Sequence, residues 1–337
     1  MLIVVITTGG TIGSAVTDGV TNVSEAADIE LKKALLSATE GRDDIVIRPA
    51  ADILSENMTP DVFRRIAGAI RTALNENKYE GIIVTHGTDT LTFSANALAL
   101  MFSDTPIPIV LLSANAPLAS GGNGRENLAA ALTLIRERLC GVFVVYANEK
   151  DSVSVHLGAR LVESDEMTGY VRSIGNVAFG SISEGRFVYN DAPTNPLPLF
   201  LKSPGRASGF TDISTDIVTI HSRSMLDFDM YLSPSKPPRA CVVKTYHSGT
   251  VPGAAGKYGI GSFIERAEMA GAKVVLAPVN SALAPYASSI RAYKKALVAR
   301  DISFGTAVAK VMLALGSGMD VGEVLEREYA FERFGAR

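Results

Sequence analysis

Two short stretches bring threonine, glycine and aspartate together in a way that could support chemistry: Thr7-Thr8-Gly9-Gly10-Thr11-Ile12-Gly13 and Thr85-His86-Gly87-Thr88-Asp89-Thr90. Each follows directly on an apolar run, residues 2–6 and 81–84, that reads as a strand. A threonine hydroxyl is a weak nucleophile at neutral pH and becomes useful only with a proton acceptor in hydrogen-bond reach. Glycines in the first turn let backbone N–H groups approach a ligand closely, and ligands of open α/β sheets bind at the carboxyl edge where these turns fall. Two blander readings stand beside the chemical one. The first turn could hold a dinucleotide, although its spacing is not G-x-G-x-x-G and no acidic residue ends the second strand. Thr88 and Asp89 could simply cap a helix, since both residue types favour that position and a carboxylate suits the positive end of the helix dipole.

Such turns need a scaffold, and the sequence supplies one. In the first half, short apolar runs near 2–6, 45–48, 81–84, 107–112 and 142–146 alternate with helical patterns near 25–37, 59–76, 89–102 and 124–138. That alternation predicts a parallel sheet wrapped by helices. The helix from 59 illustrates the reasoning. Thr59 can cap it, Pro60 sits where a missing N–H costs nothing, and Phe63, Ile66, Ala67, Ile70 and Leu74 share one face. A stretch rich in Pro, Gly and Ser over 191–209 predicts a linker. Beyond it come strands near 216–220, 240–244 and 273–277 and helices near 259–270, 288–299, 304–315 and 320–329. The fold class predicted is α/β: a larger N-terminal parallel-sheet α/β domain over 1–190 and a smaller C-terminal α/β domain over 210–337.

Composition narrows the function. The chain has 337 residues, 47% hydrophobic and 20% charged, with a net charge of −3. No electrostatic footprint for nucleic acid or an anionic membrane is visible, so a small-molecule substrate is the default expectation. Met1–Ile6 lacks a basic flank and runs into a turn, so it reads as a first strand and not as a signal peptide. No apolar run approaches the roughly 20 residues of a membrane helix. A cytoplasmic protein is expected, provided residue 1 is the native start. Cys140 and Cys241 read as small core residues. His86 reads as a hydrogen-bonded structural histidine. His156, His221 and His247 have no metal-ligand spacing with one another or with the cysteines, so zinc is not expected, and no other cofactor is expected. His247 precedes a Gly-Thr turn that could face a site.

The two threonine motifs together resemble the paired signature of the bacterial L-asparaginases and asparaginase-glutaminases, amidohydrolases with a threonine nucleophile. Ser55-Glu56-Asn57-Met58 is similar to the family's substrate-binding segment, and Ser113-Ala114-Asn115-Ala116-Pro117 with Asn123-Gly124-Arg125-Glu126-Asn127-Leu128 is a looser match. Lys244-Thr245-Tyr246-His247-Ser248-Gly249-Thr250-Val251-Pro252 extends the likeness to the second half. The resemblance implies that Thr11 attacks an amide carbon, with ammonia leaving and water hydrolysing the acyl-enzyme. It also implies that Thr88 and Asp89 work together in proton transfer, a step typically worth about 10² to 10⁴ in rate. Gly10, Gly87 and Ala114 would then lie around the substrate amide and its developing oxyanion, and Ser55 and Glu56 would grip the substrate's α-carboxylate and α-ammonium. Family members form dimers or dimers of dimers, so a homodimer or homotetramer is expected.

The departures carry information too. The family lysine follows a G-x-x-x-x-K pattern; the matching run here is Gly158-Ala159-Arg160-Leu161-Val162-Glu163, with glutamate in the lysine position. Arg160, the nearest cation in sequence, stays protonated and cannot act as a neutral base. The loop after the first strand, Ala15-Val16-Thr17-Asp18-Gly19-Val20-Thr21-Asn22, lacks the family tyrosine, and Thr250 stands where shorter members tend to carry asparagine. Glu163 is either a general base whose pKa burial has raised or a solvated surface carboxylate. Inside the site it would disfavour an acidic product and favour a different amide. A silent member that binds an amino-acid-like ligand is the alternative to an enzyme. The ammonia-supplying component of a tRNA-dependent amidotransferase normally carries a further domain before the first threonine motif.

Overall fold

A computed structural model of the chain describes residues 1–17, 20–23, 25–149, 152–232 and 235–335. Asp18 and Gly19, within the loop that lacks the family tyrosine, lie outside the described residues. The chain divides into two compact units, Met1–Ser208 with Tyr329–Phe331, and Gly209–Glu328 with Glu332–Gly335.

The first unit runs β1 (Leu2–Gly9), β2 (Ser14–Thr17), β3 (Val20–Val23), α1 (Glu25–Thr39), β4 (Asp44–Ile53), α2 (Pro60–Asn75), β5 (Gly81–Thr85), α3 (Leu91–Met101), β6 (Pro108–Leu112), α4 (Gly124–Arg136), β7 (Gly141–Glu149), β8 (Ser152–Leu157), β9 (Leu161–Val162), β10 (Arg172–Ser173), β11 (Gly180–Ser183) and β12 (Arg186–Tyr189). Its main sheet has the order β12-β11-β8-β7-β6-β5-β1-β4. The pairs from β4 to β7 are parallel; those from β7 to β12 are antiparallel. β5 and β6 are buried at every residue, as expected of central parallel strands covered on both faces. Ile3, Val5, Ile83, Val110, Leu112 and Phe143 pack with Leu31 and Leu35 of α1 and Leu128 and Ile135 of α4 in one core. β4 tolerates Pro49 because it is an edge strand. α2 begins as its sequence predicts, with Thr59 Oγ1 accepting from the Val62 amide at 3.3 Å and Pro60 in the first turn.

The Pro-, Gly- and Ser-rich stretch is tied to this unit as far as Ser208. Leu201 is buried and its carbonyl accepts from the Cys140 amide at 2.6 Å, Asn195 donates to the Ala178 and Asn190 carbonyls at 2.9 Å each, and Ser208 Oγ donates to the Met101 carbonyl at 3.3 Å. Cys140 departs from its expected place in the core. It is only half-buried, and its thiol donates to the Pro106 carbonyl at 3.3 Å. Cys241 is fully buried as expected.

The second unit contains β13 (Ile217–His221), β14 (Ala240–Lys244), α5 (Ile260–Met269), β15 (Lys273–Val279), α6 (Ala287–Lys295), β16 (Leu297–Arg300), α7 (Phe304–Gly316) and α8 (Val321–Glu326). The four strands pair in sequence order, all parallel. The helix expected over 288–299 ends instead at Lys295. Ala296 is extended, and Leu297 and Val298 pair with Val275 and Leu276 of β15, a partner that local periodicity does not reveal. Lys310 of α7 and Glu332 form an ion pair at 2.7 Å with both side chains wholly buried. The α/β class read from the alternation is the class observed in both units.

Candidate active site

The two threonine-bearing turns leave neighbouring parallel strands, β1 and β5, at their carboxyl ends. They are laced together there. The Thr8 amide donates to Thr85 Oγ1 at 3.1 Å, and Thr8 Oγ1 donates to the Thr85 carbonyl at 2.5 Å. Gly10 follows with φ 71° and ψ −174°, a left-handed conformation that favours glycine. The approach is too close for any side chain: a Cβ on Gly10 would lie 2.4 Å from the Gly87 nitrogen, and a Cβ on Gly87 would lie 2.4 Å from Ser55 Oγ. Gly10, Gly87 and Ser55 therefore meet at one point. Thr11, half-buried, opens a single 3-10 turn immediately beyond it, and Ser14 Oγ closes that turn on the Gly10 carbonyl at 2.7 Å.

Ser55, in a 3-10 turn between β4 and α2, is buried, whereas Glu56 is exposed. Ser55 Oγ donates to Asp89 Oδ2 across a long 3.4 Å, and its carbonyl accepts from Thr90 Oγ1 at 2.9 Å. The N-cap residue of α3 is Thr90, and its side chain makes no cap bond to the helix. The cap position is thus held by Thr90, one residue beyond Asp89 and two beyond Thr88, whose carbonyl accepts from the Leu91 amide at 3.3 Å. His86 is wholly buried, with Nδ1 against the Gly87 carbonyl at 2.8 Å, and burial pushes its pKa down.

Beside these turns lies a cleft of about 520 Å³, a volume suited to a small molecule. Thr88, Asp89, Asn115, Tyr146 and Glu163 line it, with Thr92, Ser164–Glu166, Thr168 and Gly169. Glu163 therefore faces the cleft, as an exposed carboxylate. Its position follows from α3: Thr92 Oγ1 donates to the Val162 carbonyl at 2.9 Å, and Asn96 Nδ2 donates to the Gly158 carbonyl at 2.8 Å. β9 and β10 pair just beyond, so the chain from Glu163 to Val171 forms an excursion at the cleft rim. Arg160 turns elsewhere. It is buried, with Nε donating to the Phe331 carbonyl at 2.6 Å and a terminal nitrogen donating to Asn195 Oδ1 at 3.2 Å.

Of the residues singled out in the sequence, Thr88, Asp89 and Glu163 come together in the cleft, Ser55 joins through Asp89, and Gly10 and Gly87 touch each other. Thr11, Glu56 and Ala114 are not among the described residues that line it. Ala114 lies fully buried at the end of β6. One residue of the site, Tyr146, escapes a reading of the sequence. Tyr146 ends the apolar run of β7 and looks like core; it is 4% exposed, burial raises its pKa, and its hydroxyl pairs with the Asn123 amide. Asn123 in turn exchanges two bonds with Asn115, at 2.9 and 3.1 Å, and donates to the Ala147 carbonyl at 2.8 Å. The spacing from Asn115 to Asn123 could have suggested this clasp, but nothing local points to Tyr146.

In the second unit, Thr250 and His247 belong to a turn closed by the Tyr246 amide on the Thr250 carbonyl at 2.9 Å and braced by Tyr293, whose hydroxyl donates to the Gly249 carbonyl at 2.5 Å. Among the described residues, no group of three or more His, Cys, Asp or Glu side chains is arranged to hold a metal, and no helix is long and apolar enough to cross a membrane.

Comparison with known proteins matches residues 2–194 to the family model described as "Asparaginase, N-terminal". An L-asparaginase of Thermococcus kodakarensis is 28% identical over the full length of both chains. A component of the glutamyl-tRNA(Gln) amidotransferase of Halobacterium salinarum is 35% identical over 47% of this chain, and the match spans only 38% of that component. The fold is similar to the solved thermostable L-asparaginase of Thermococcus kodakarensis, with a TM-score of 0.79 and 24% identity over 99% of this chain and 100% of the other. It is likewise similar to L-asparaginase I of Vibrio cholerae, with a TM-score of 0.77 and 21% identity over 99% of each chain. With its threonine turns interlocked at the carboxyl edge of a parallel sheet and the family model covering more than half of its length, the chain belongs to the asparaginase family of amidohydrolases.

Proposed function

We propose that the protein hydrolyses a side-chain or small carboxamide with Thr11 as nucleophile, releasing ammonia. The observation that carries this reading is the Gly10–Gly87 contact, which sets the turn bearing Thr11 directly against the turn bearing Thr88 and Asp89. Thr11 Oγ adds to the amide carbon, its proton passes through Thr88 to the departing nitrogen, and ammonia leaves an acyl-enzyme that water then hydrolyses. Glu163 stands at the cleft in place of the family lysine as an exposed carboxylate, Asp89 partners Thr88 in the proton transfer, and the backbone around Gly10, Gly87 and Ala114 holds the polarised carbonyl. Ser55, Glu56 and Asp89 orient the rest of the substrate. Assembly into a homodimer or homotetramer, and a cytoplasmic location, belong to the same reading.

The test is ammonia release by the purified protein from asparagine, glutamine and blocked or decarboxylated analogues, with Thr11→Ala as control. Thr11→Ala is expected to fold normally and lose turnover by a factor of about 10⁴ or more. Retained turnover in that variant would remove Thr11 from the nucleophile's role, and ligand binding without turnover in the parent would mark a silent scaffold.

A further inference from the structure

Tyr146, which lines the cleft, stands opposite Ser154 across β7 and β8, and Ser154 lines a second hollow, of about 410 Å³, on the same face of the sheet. Its walls are tied together by side chains. Asn148 clasps the Val171 backbone, with Nδ2 donating to the carbonyl at 2.8 Å and Oδ1 accepting from the amide at 2.9 Å. Ser173 Oγ lies 2.8 Å from His156 Nδ1. His156 also lines the hollow; it is wholly buried, and its Nε2 has no hydrogen-bond partner, an exception among buried polar atoms that a bound molecule would explain.

Among the described lining residues there is one cation besides that imidazole, Arg172, and one carboxylate, Glu149. The Arg172 guanidinium is steadied over the Tyr170 ring, 5.5 Å from its centroid, and makes no ion pair or hydrogen bond with the described residues. It lies near Asp165 without bonding to it: the Thr168 amide foremost, and more weakly the Arg172 charge, hold that carboxyl below its ordinary range. Asp165 Oδ1 is already taken by the Met167 amide at 3.2 Å, the Thr168 amide at 3.1 Å and Thr168 Oγ1 at 3.0 Å. The guanidinium fork is thus available to a planar carboxylate, and the exposed Glu149 to a cation. Ser152, Ser154 and Asn176 add neutral donors and acceptors.

We propose that this hollow is a second small-molecule site, which takes a zwitterion with its carboxylate on Arg172 and its ammonium on Glu149, while Ser152, Ser154 and Asn176 bond the remaining polar atoms. The site shares no lining residue with the cleft and stands or falls independently of the amidohydrolase reading.

Calorimetric titration of the whole protein with glycine, β-alanine, γ-aminobutyrate and 5-aminovalerate, which differ only in the spacing of the two charges, tests it. At the spacing that fits, Kd is expected at about 1 mM or tighter. The analogue of that ligand lacking either charge, as the simple carboxylic acid or amine, is expected to bind about tenfold or more weakly. Arg172→Gln and Glu149→Gln should weaken binding by a similar factor, and Ser154→Leu, which fills the hollow, should abolish it. Arg172→Lys should retain part of the affinity, and Asp89→Asn, in the cleft, should leave it unchanged. Urea unfolding of each variant separates lost binding from lost folding. Affinities weaker than about 1 mM across the series, single-charge analogues that bind as well as the zwitterion, or binding that survives both Arg172→Gln and Ser154→Leu overturn the proposal. Binding lost in Asp89→Asn assigns the ligand to the cleft and overturns it equally.

Discussion

Replacing Gly10 by alanine would place a methyl group 2.4 Å from the Gly87 nitrogen, 2.7 Å from the His86 carbonyl carbon and 2.8 Å from the Gly87 Cα. All three are backbone atoms of the opposing turn, so no side chain can swing aside. Left-handed backbone costs an alanine about 1–2 kcal/mol, and forcing a methyl group into a packed site costs about 1–3 kcal/mol more. A loss of about 2–5 kcal/mol in unfolding free energy follows if the turns hold their places. If they part to relieve the clash, stability is regained at the expense of alignment, and a misplacement of about 1 Å reduces turnover about a hundredfold. Urea unfolding measures the first outcome and ammonia release the second; one of them must change. Gly13→Ala is the control, since a Cβ there meets no heavy atom within 4 Å. Gly10→Ala with parental stability and parental turnover would refute the interlock and with it the placement of Thr11.

His156 is wholly buried with its pKa pushed down by burial to about 4, so between the ordinary pKa of 6.5 and that value the unfolded chain binds the extra proton. Stability is therefore full above pH 6.5 and declines by about 3 kcal/mol as pH falls toward 4, and His156→Gln is expected to flatten that stretch of a urea-monitored pH profile. In the second unit, Glu332→Gln leaves the buried Lys310 without its carboxylate and should cost about 3–5 kcal/mol by urea unfolding, whereas replacing both residues by methionine should recover most of the loss. Thr59→Ala removes the cap of α2 and should lower stability by about 1 kcal/mol with turnover unchanged.

What could be read in advance depended on whether the deciding contact was local. β1, β5, β6 and β7 are central strands whose continuous apolar runs announce them, and α2 carries its own cap, proline and stripe. β8, β11 and β12 form the antiparallel edge from short runs of mixed polarity, and β16 needs β15 beside it before Leu297 and Val298 become a strand. At the site the same division holds. Thr11, Thr88 and Asp89 sit in motifs dense with glycine and hydroxyl groups. Tyr146 becomes a cleft residue only through the register that sets Val145 beside Leu112, and Glu163 only because Thr92 and Asn96, on a helix some seventy residues earlier, hold the chain just before it. An ambiguity that rests on such distant anchors, as the two readings of Glu163 did, has no local solution.

The rim segment from Glu163 to Val171 is anchored at its roots, by α3 on one side and by the β9–β10 pair on the other, whereas Gly10 and Gly87 are locked backbone to backbone with the Ser55 side chain against them. The junction and the rim are consequently mounted on different supports. Variation drawn into the rim, in a natural lineage or a randomised library, is expected to leave the junction intact, whereas a Cβ at Gly10 or Gly87 meets atoms of the facing segment at 2.4 Å. A search for altered substrate preference on this scaffold is best confined to 163–171, with both glycines left untouched.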